Sequence, residues 1–150
     1  MDKERKPGVM SAAEVKALLD REFSQVMSSG SAILIEDAWH GGCRVRRTFS
    51  EQSLRPGGTI SGPTMMGLTD FAMYVAILAS VGPVPLAVTT SLNINFLRKP
   101  AQRDLVAEAR LIKLGTRLAV GEVEIYSDGE EEMVSHATAT YSIPPPERRR

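Results

Sequence analysis

Between Pro56 and Leu97 the chain runs for 42 residues with a single charged side chain, Asp70. This stretch constrains the fold more than any other, because the helix it encodes is apolar on nearly every face and has to be surrounded by protein. Around Asp70 the sequence reads SGPTMMGLTDFAMYVAILAS. An ionised carboxylate is costly to bury without partners, and no basic residue lies nearby in sequence to supply one. Asp70 therefore either faces water on a helix edge or is held in an apolar site for chemistry.

The elements around this segment follow from periodicity and punctuation. Ser11-Ala12-Ala13-Glu14 is a capping box, and Val15, Leu18, Leu19, Phe23, Val26 and Met27 follow at helical spacing. This predicts a first helix ended by Gly30, its apolar stripe laid on a sheet edge or face. Ser31 to Trp39 reads as a strand, Gly41-Gly42 as a hairpin turn, and Cys43 to Phe49 as the returning strand, with Arg44, Arg46 and Thr48 on its wet face. Ser61-Gly62-Pro63 opens the apolar helix, with Ser61 able to act as N-cap and proline tolerated in the first turn; Gly82-Pro83 closes it. From there the period changes to two. Val88, Thr90, Leu92, Ile94 and Phe96 alternate with Thr89, Ser91, Asn93 and Asn95, which predicts one apolar and one polar face. Strands over 104–114, 117–127 and 133–143 follow, the last with Ala137, Ala139 and Tyr141 on one side.

The order α-β-β-α-β-β-β-β predicts an α+β domain in which an antiparallel sheet curls around the apolar helix. A chain of 150 residues suits one domain, with residues 1–10 and 144–150 expected as flexible tails. Formal net charge is zero, so neither nucleic acid nor an anionic membrane surface is an expected partner. Cys43 stands alone, which excludes an internal disulfide and suits a reducing, cytoplasmic location. His40 and His136 show no metal-ligand spacing, and neither metal nor cofactor is expected. His40 reads as a turn-side surface residue, His136 as a sheet-surface residue, and Met65, Met66 and Met73 as core filler. The stretch from Met65 to Ala79 is short for a bilayer span and carries Asp70 inside it, so a buried helix is the better reading.

Four segments carry a resemblance: Ser61 to Asp70, Asn93-Ile94-Asn95-Phe96-Leu97-Arg98, Ala107-Glu108-Ala109, and His136-Ala137-Thr138-Ala139-Thr140. Together with the element order over about residues 30 to 143, they resemble the hotdog-fold acyl-CoA thioesterases of the phenylacetyl-CoA (PaaI-like) type. In that family a His-Gly-Gly motif opens the central helix and a carboxylate lies nine positions after the His. Here Ser61 stands at the His position and Asp70 nine positions on.

The resemblance implies that Asp70 is the catalytic carboxylate, as general base or nucleophile. It implies that the Gly62 N–H is an oxyanion donor, a role that suits the free donors of a helix N-terminus. Thr89 matches a hydroxyl residue that holds the attacking water or the carboxylate and comes from the partner subunit. Ser61 offers a further hydroxyl donor or a plain N-cap. Three positions depart from the pattern: Ser61 replaces the His, Pro63 the second Gly, and Arg55 a frequent Asn.

The implied substrate is an acyl-CoA, whose phosphates would meet Arg98, Lys113 and Arg117. The implied assembly is a homodimer or a dimer of dimers with sites at the subunit interface. A non-catalytic acyl-CoA binding module is the alternative that the three departures favour. A dehydratase-type hotdog enzyme ranks third, because no His lies in the central-helix segment.

Overall fold

The computed structural model describes residues 4–27 and 33–149, apart from the side chain of Val26. Ser11 caps the first helix, α1 (Ala12–Glu22), through the reciprocal bonds of the capping box. Val15, Leu18 and Leu19 are its buried stripe, and the helix lies against the first strand and the central helix. It stops earlier than the periodicity predicts. Phe23 leaves helical geometry (φ −139°, ψ 45°), and its ring stands edge-on to Tyr74 with centroids 6.4 Å apart. A short turn of helix, α2 (Ser24–Met27), follows, and the expected stop at Gly30 lies outside the described residues.

The strands are β1 (Ile33–Trp39), β2 (Gly42–Arg47), β3 (Val88–Phe96), β4 (Leu105–Leu114), β5 (Leu118–Ser127) and β6 (Met133–Ser142). They form one antiparallel sheet in the order β1-β2-β4-β5-β6-β3. Between β2 and β3 the chain makes α3 (Gly62–Val81), which packs across the face of β2, β4 and β5. This is the hotdog fold, an α+β sheet wrapped around a central helix. By length and composition α3 could cross a membrane, but 72% of its apolar window is buried inside the domain, as a core helix requires. It ends at Gly82, whose φ of 107° suits a residue without a Cβ.

Residues 4–10, expected as a tail, are instead tied to the body. The Val9 N–H donates to the Ala79 carbonyl at 2.7 Å, Pro7 bridges to Trp39, and Met10 is buried. Met66 also departs from expectation, being exposed, while Met65 and Met73 are core residues. Cys43 is fully buried; burial pushes its thiol well above the ordinary value, and its Sγ contacts the Ala72 carbonyl at 3.0 Å.

Gly121 on β5 sets how closely α3 approaches the sheet. A Cβ there would lie 2.6 Å from Met73 Sδ and 2.9 Å from the Arg110 carbonyl oxygen. Both are tighter than van der Waals contact, and neither backbone nor buried core has room to yield. Gly121→Ala is expected to destabilise the fold by about 1–3 kcal/mol, read as a lower midpoint in chemical denaturation with an unchanged slope.

Candidate active site

Most of α3 is enclosed, but Pro63, Met66 and Gly67 form an exposed stripe along its first half, and half-buried Asp70 continues it by one turn. The two readings of Asp70 meet here. It stands where the helix leaves the core for an open face.

Two hydroxyls converge on one oxygen of its carboxylate. Thr89 Oγ1 donates to Asp70 Oδ1 at 2.5 Å, and Tyr141 Oη donates to the same atom at 2.7 Å. Tyr141 also lies 3.0 Å from the Asp70 backbone carbonyl. Oδ2 has no hydrogen-bond donor among the described residues.

The Thr89 contact corrects one expectation. Strict alternation puts Thr89 on the polar outer face with Ser91, Asn93 and Asn95. The ladder to β6 slips between Thr89 and Ser91, pairing Thr89 with Tyr141 and Ser91 with Thr140. A bulge of this kind turns one side chain to the opposite face. Thr89 thus points inward beside Tyr141, while Thr90 turns out to bond the Thr140 carbonyl. Thr89 reaches Asp70 of its own chain, because residues 82–87 return the chain directly from the end of α3 to β3.

Asp70 opens into a cavity of about 580 Å³ whose wall is largely aromatic and aliphatic. Phe23 from the end of α1, Phe71 and Tyr74 from α3, and Pro85 to Val88 line it. Tyr74 stacks on Tyr141 with centroids 6.3 Å apart and anchors its own hydroxyl on the Pro85 carbonyl at 2.7 Å. Glu22 is the second carboxylate on the wall, and among the described residues none that lines it is cationic.

Gly62 and Ser61 lie elsewhere. Ser61 is the N-cap of α3: its Oγ accepts from the Thr64 N–H at 3.3 Å and sits 2.8 Å from Thr64 Oγ1. Gly62 is the first helical residue, and its N–H has no acceptor among the described residues. A Cβ at Gly62 would press on Phe96 at 3.3 Å. Eight residues of helix separate Gly62 from Asp70, roughly 12 Å along the axis. The two residues open into different cavities; that of Gly62, about 630 Å³, is lined by Arg55, Phe96, Leu97, Arg98 and Lys99. Within one chain, Asp70 and Gly62 therefore cannot contact one carbonyl group.

The basic residues divide in the same way. Arg98 lies at the Gly62 end and pairs with Glu132. Lys113 and Arg117 flank the β4–β5 turn, near the start of β3, since Leu118 and Val88 both pair with Ser142. His136 is on the outer face of the sheet, bonded to Glu122 at 3.2 Å. No group of His, Cys, Asp and Glu among the described residues is arranged to hold a metal ion.

Tyr141, which the sequence places only on one side of the last strand with Ala137 and Ala139, is the site residue that sequence reasoning missed. Its position on the inner face was readable, but its hydroxyl partner depends on how α3 crosses β6. All three tyrosines of the chain are shifted upward. Burial raises Tyr74 and, more strongly, Tyr141, where the Asp70 carboxylate adds to the effect. Tyr126 is pushed up to about 12, chiefly by its hydrogen bond to Glu124. The native state thus favours the neutral phenols, so their contribution to stability is complete below the free-tyrosine value near 10 and is lost as pH rises above it. Phenolate absorbance of the native protein is expected to lag that of the denatured chain at about pH 10, with folding stability declining above that pH.

Residues 57–134, just over half of the chain, match the family model described as "Thioesterase superfamily". A solved structure from Silicibacter sp. TM1040, described as a "putative thioesterase", is 40% identical. It covers 95% of this chain and 97% of its own, with a TM-score of 0.83. A protein of Saccharolobus solfataricus named "Putative esterase SSO1253" is 29% identical over 137 residues, 90% of this chain and 87% of that protein. The PaaI protein of E. coli, from the phenylacetic acid degradation operon, shares the fold at 21% identity, with a TM-score of 0.75 over 89% of this chain and 93% of its own. With the helix-in-sheet architecture already in place, these matches make the chain a member of the hotdog-fold thioesterase superfamily.

Proposed function

We propose that the protein hydrolyses an acyl-CoA thioester to a carboxylic acid and free CoA. Membership of the superfamily supports thioester hydrolysis as the reaction class. The observation that carries the finer reading is the Asp70 carboxylate, with Oδ1 held by two hydroxyls and Oδ2 undonated beside an apolar cavity. Such a group can take a proton from water as the water oxygen attacks the thioester carbon, or attack that carbon itself. In either route the carbon–sulfur bond breaks and CoA leaves as the thiol once it recovers a proton; in the second, water then cleaves the acyl–Asp70 anhydride, which frees the acid and restores the carboxylate. The mostly apolar wall suits the acyl group.

The oxyanion needs a donor, and Gly62 lies too far along α3 to serve the Asp70 of its own chain. The Gly62 N–H of a second copy supplies it in this reading. Several features support a two-fold pair. Strand β3 is a sheet edge free of charged side chains; its end residues Val88 and Phe96 and the adjoining Leu86 and Leu97 are exposed, as is Met66 on the open stripe of α3. An unpaired edge of this kind invites strand pairing. Antiparallel apposition of two such faces sets the N-terminus of one α3 beside the Asp70 of the other. It also brings Arg98 of one copy toward Lys113 and Arg117 of the other, a divided basic patch suited to the phosphates of CoA. With Ser61 Oγ engaged as a cap, Gly62 is left as the principal donor at that end.

Thiol release from a panel of short, long and aromatic acyl-CoA esters tests the reading. The wild type is expected to hydrolyse at least one ester, and Asp70→Asn to lose about 100-fold or more in kcat while still binding CoA esters. Binding without thiol release by the wild type across the panel would instead indicate an acyl-CoA binding module. Sedimentation is expected to give a dimer or a dimer of dimers, and a monomer that still turns over would remove Gly62 of a second copy from the mechanism.

A further inference from the structure

We infer that Tyr141 is a positioning residue for the hydrolysis. Its hydroxyl, with that of Thr89, pins Asp70 Oδ1 and leaves Oδ2 as the oxygen that meets water or the thioester carbon. The inference rests on the acyl-CoA reading above and goes beyond it by distinguishing the two oxygens of the carboxylate.

The geometry is specific. Tyr141 Oη is 2.7 Å from Asp70 Oδ1 and 3.0 Å from the Asp70 carbonyl oxygen, so one hydroxyl spans the side chain and the backbone of the same residue. That bridge fixes the side-chain torsions of Asp70, which otherwise would rotate freely at the open edge of α3. Thr89 donates to the same Oδ1, not to Oδ2.

Tyr141 is the more rigid of the two anchors. It is 3% exposed, its ring is stacked on Tyr74, and β6 is paired on both sides, by β5 and β3. Thr89 sits on the edge strand and is exposed. A reacting group held by a side chain locked in the sheet interior keeps its orientation when the edge strand moves. Tyr141 remains a donor at neutral pH because burial and the adjacent carboxylate both oppose its ionisation. The other titratable groups around the cavity are Glu22 at the end of α1 and Tyr74 on α3. Neither makes a hydrogen bond to Asp70.

The test pairs Tyr141→Phe with Thr89→Val and Thr89→Ser. Tyr141→Phe keeps the ring stacked on Tyr74 and removes only the hydroxyl. Loss of one hydrogen bond to a charged group predicts a fall in kcat of about 10–100-fold, with KM within about twofold because substrate contacts are intact. Thr89→Val, which keeps the side-chain shape and removes the hydroxyl, is expected to lower kcat in the same direction, and Thr89→Ser to restore it. A purely structural Tyr141 would instead lower Tm and leave kcat of the folded enzyme unchanged. An active wild type whose folded Tyr141→Phe variant keeps full kcat overturns the inference and leaves the thioesterase reading intact.

Wild type that releases no thiol overturns the thioesterase reading. The anchor is then judged by crystal structures of the wild type and Tyr141→Phe. One ordered Asp70 rotamer that becomes disordered or rotated in the variant supports it, and an unchanged rotamer overturns it.

Discussion

Everything in this structure depends on enclosing α3. Of its 20 residues, 13 are buried, and Leu68, Met73, Ile77 and Leu78 are among the largest side chains with almost no exposure. Full burial of each such side chain is worth about 1.5–3 kcal/mol, so the helix supplies much of the stabilisation available to a domain of this size. A sheet has to curve to cover a helix on most of its circumference, and the small residues Ala107, Ala109, Ala119, Gly121, Ala137 and Ala139 on the inner face let it approach. The same enclosure defines the exception. Six strands cover most of the helix and leave one stripe open, and the only carboxylate of the segment continues that stripe.

A carboxylate at such a border meets an apolar wall on one side and hydrogen-bond donors on the other. Here the donors are two neutral hydroxyls rather than a cation. A guanidinium or ammonium would hold the charge more strongly but would compete for both oxygens and oppose proton uptake. Hydroxyls orient the group while leaving an oxygen available, which is the arrangement proton transfer or nucleophilic attack requires. The site is thus a consequence of what the core lacks as much as of what it contains.

The architecture was legible in the sequence because it rests on strong, local signals. The capping box at Ser11, the uncharged run through α3, the stop at Gly82 and the alternation along β6 each correspond to an observed element. Asp70 was legible because a lone charge in an apolar run demands explanation. The failures share a cause. The early end of α1 at Phe23 is fixed by a tertiary contact with Tyr74, and the inward turn of Thr89 by a bulge in β3. The anchoring of residues 4–10 depends on the end of α3, and Tyr141 reads only as a residue on one side of β6 until its hydroxyl meets Asp70 across 71 residues of chain. Periodicity encodes which face a side chain takes in a regular element; it does not encode irregularity or the partner that waits on that face.

The separation of Gly62 from Asp70 follows from the helix itself. Nine positions from Ser61 to Asp70 place the capped N-terminus and the carboxylate more than two turns apart. No rotamer or loop movement closes that gap, because both belong to one rigid rod locked in the sheet. A chemistry that uses both ends of the rod therefore has to bring in a second rod, running the other way. The uncharged edge of β3 and the open stripe of α3 are the surfaces on which it would dock. The residues that cover the helix in one chain stop short at the face where the site lies, so in the proposed enzyme the unfinished part of the core and the unfinished active site are completed by the same partner.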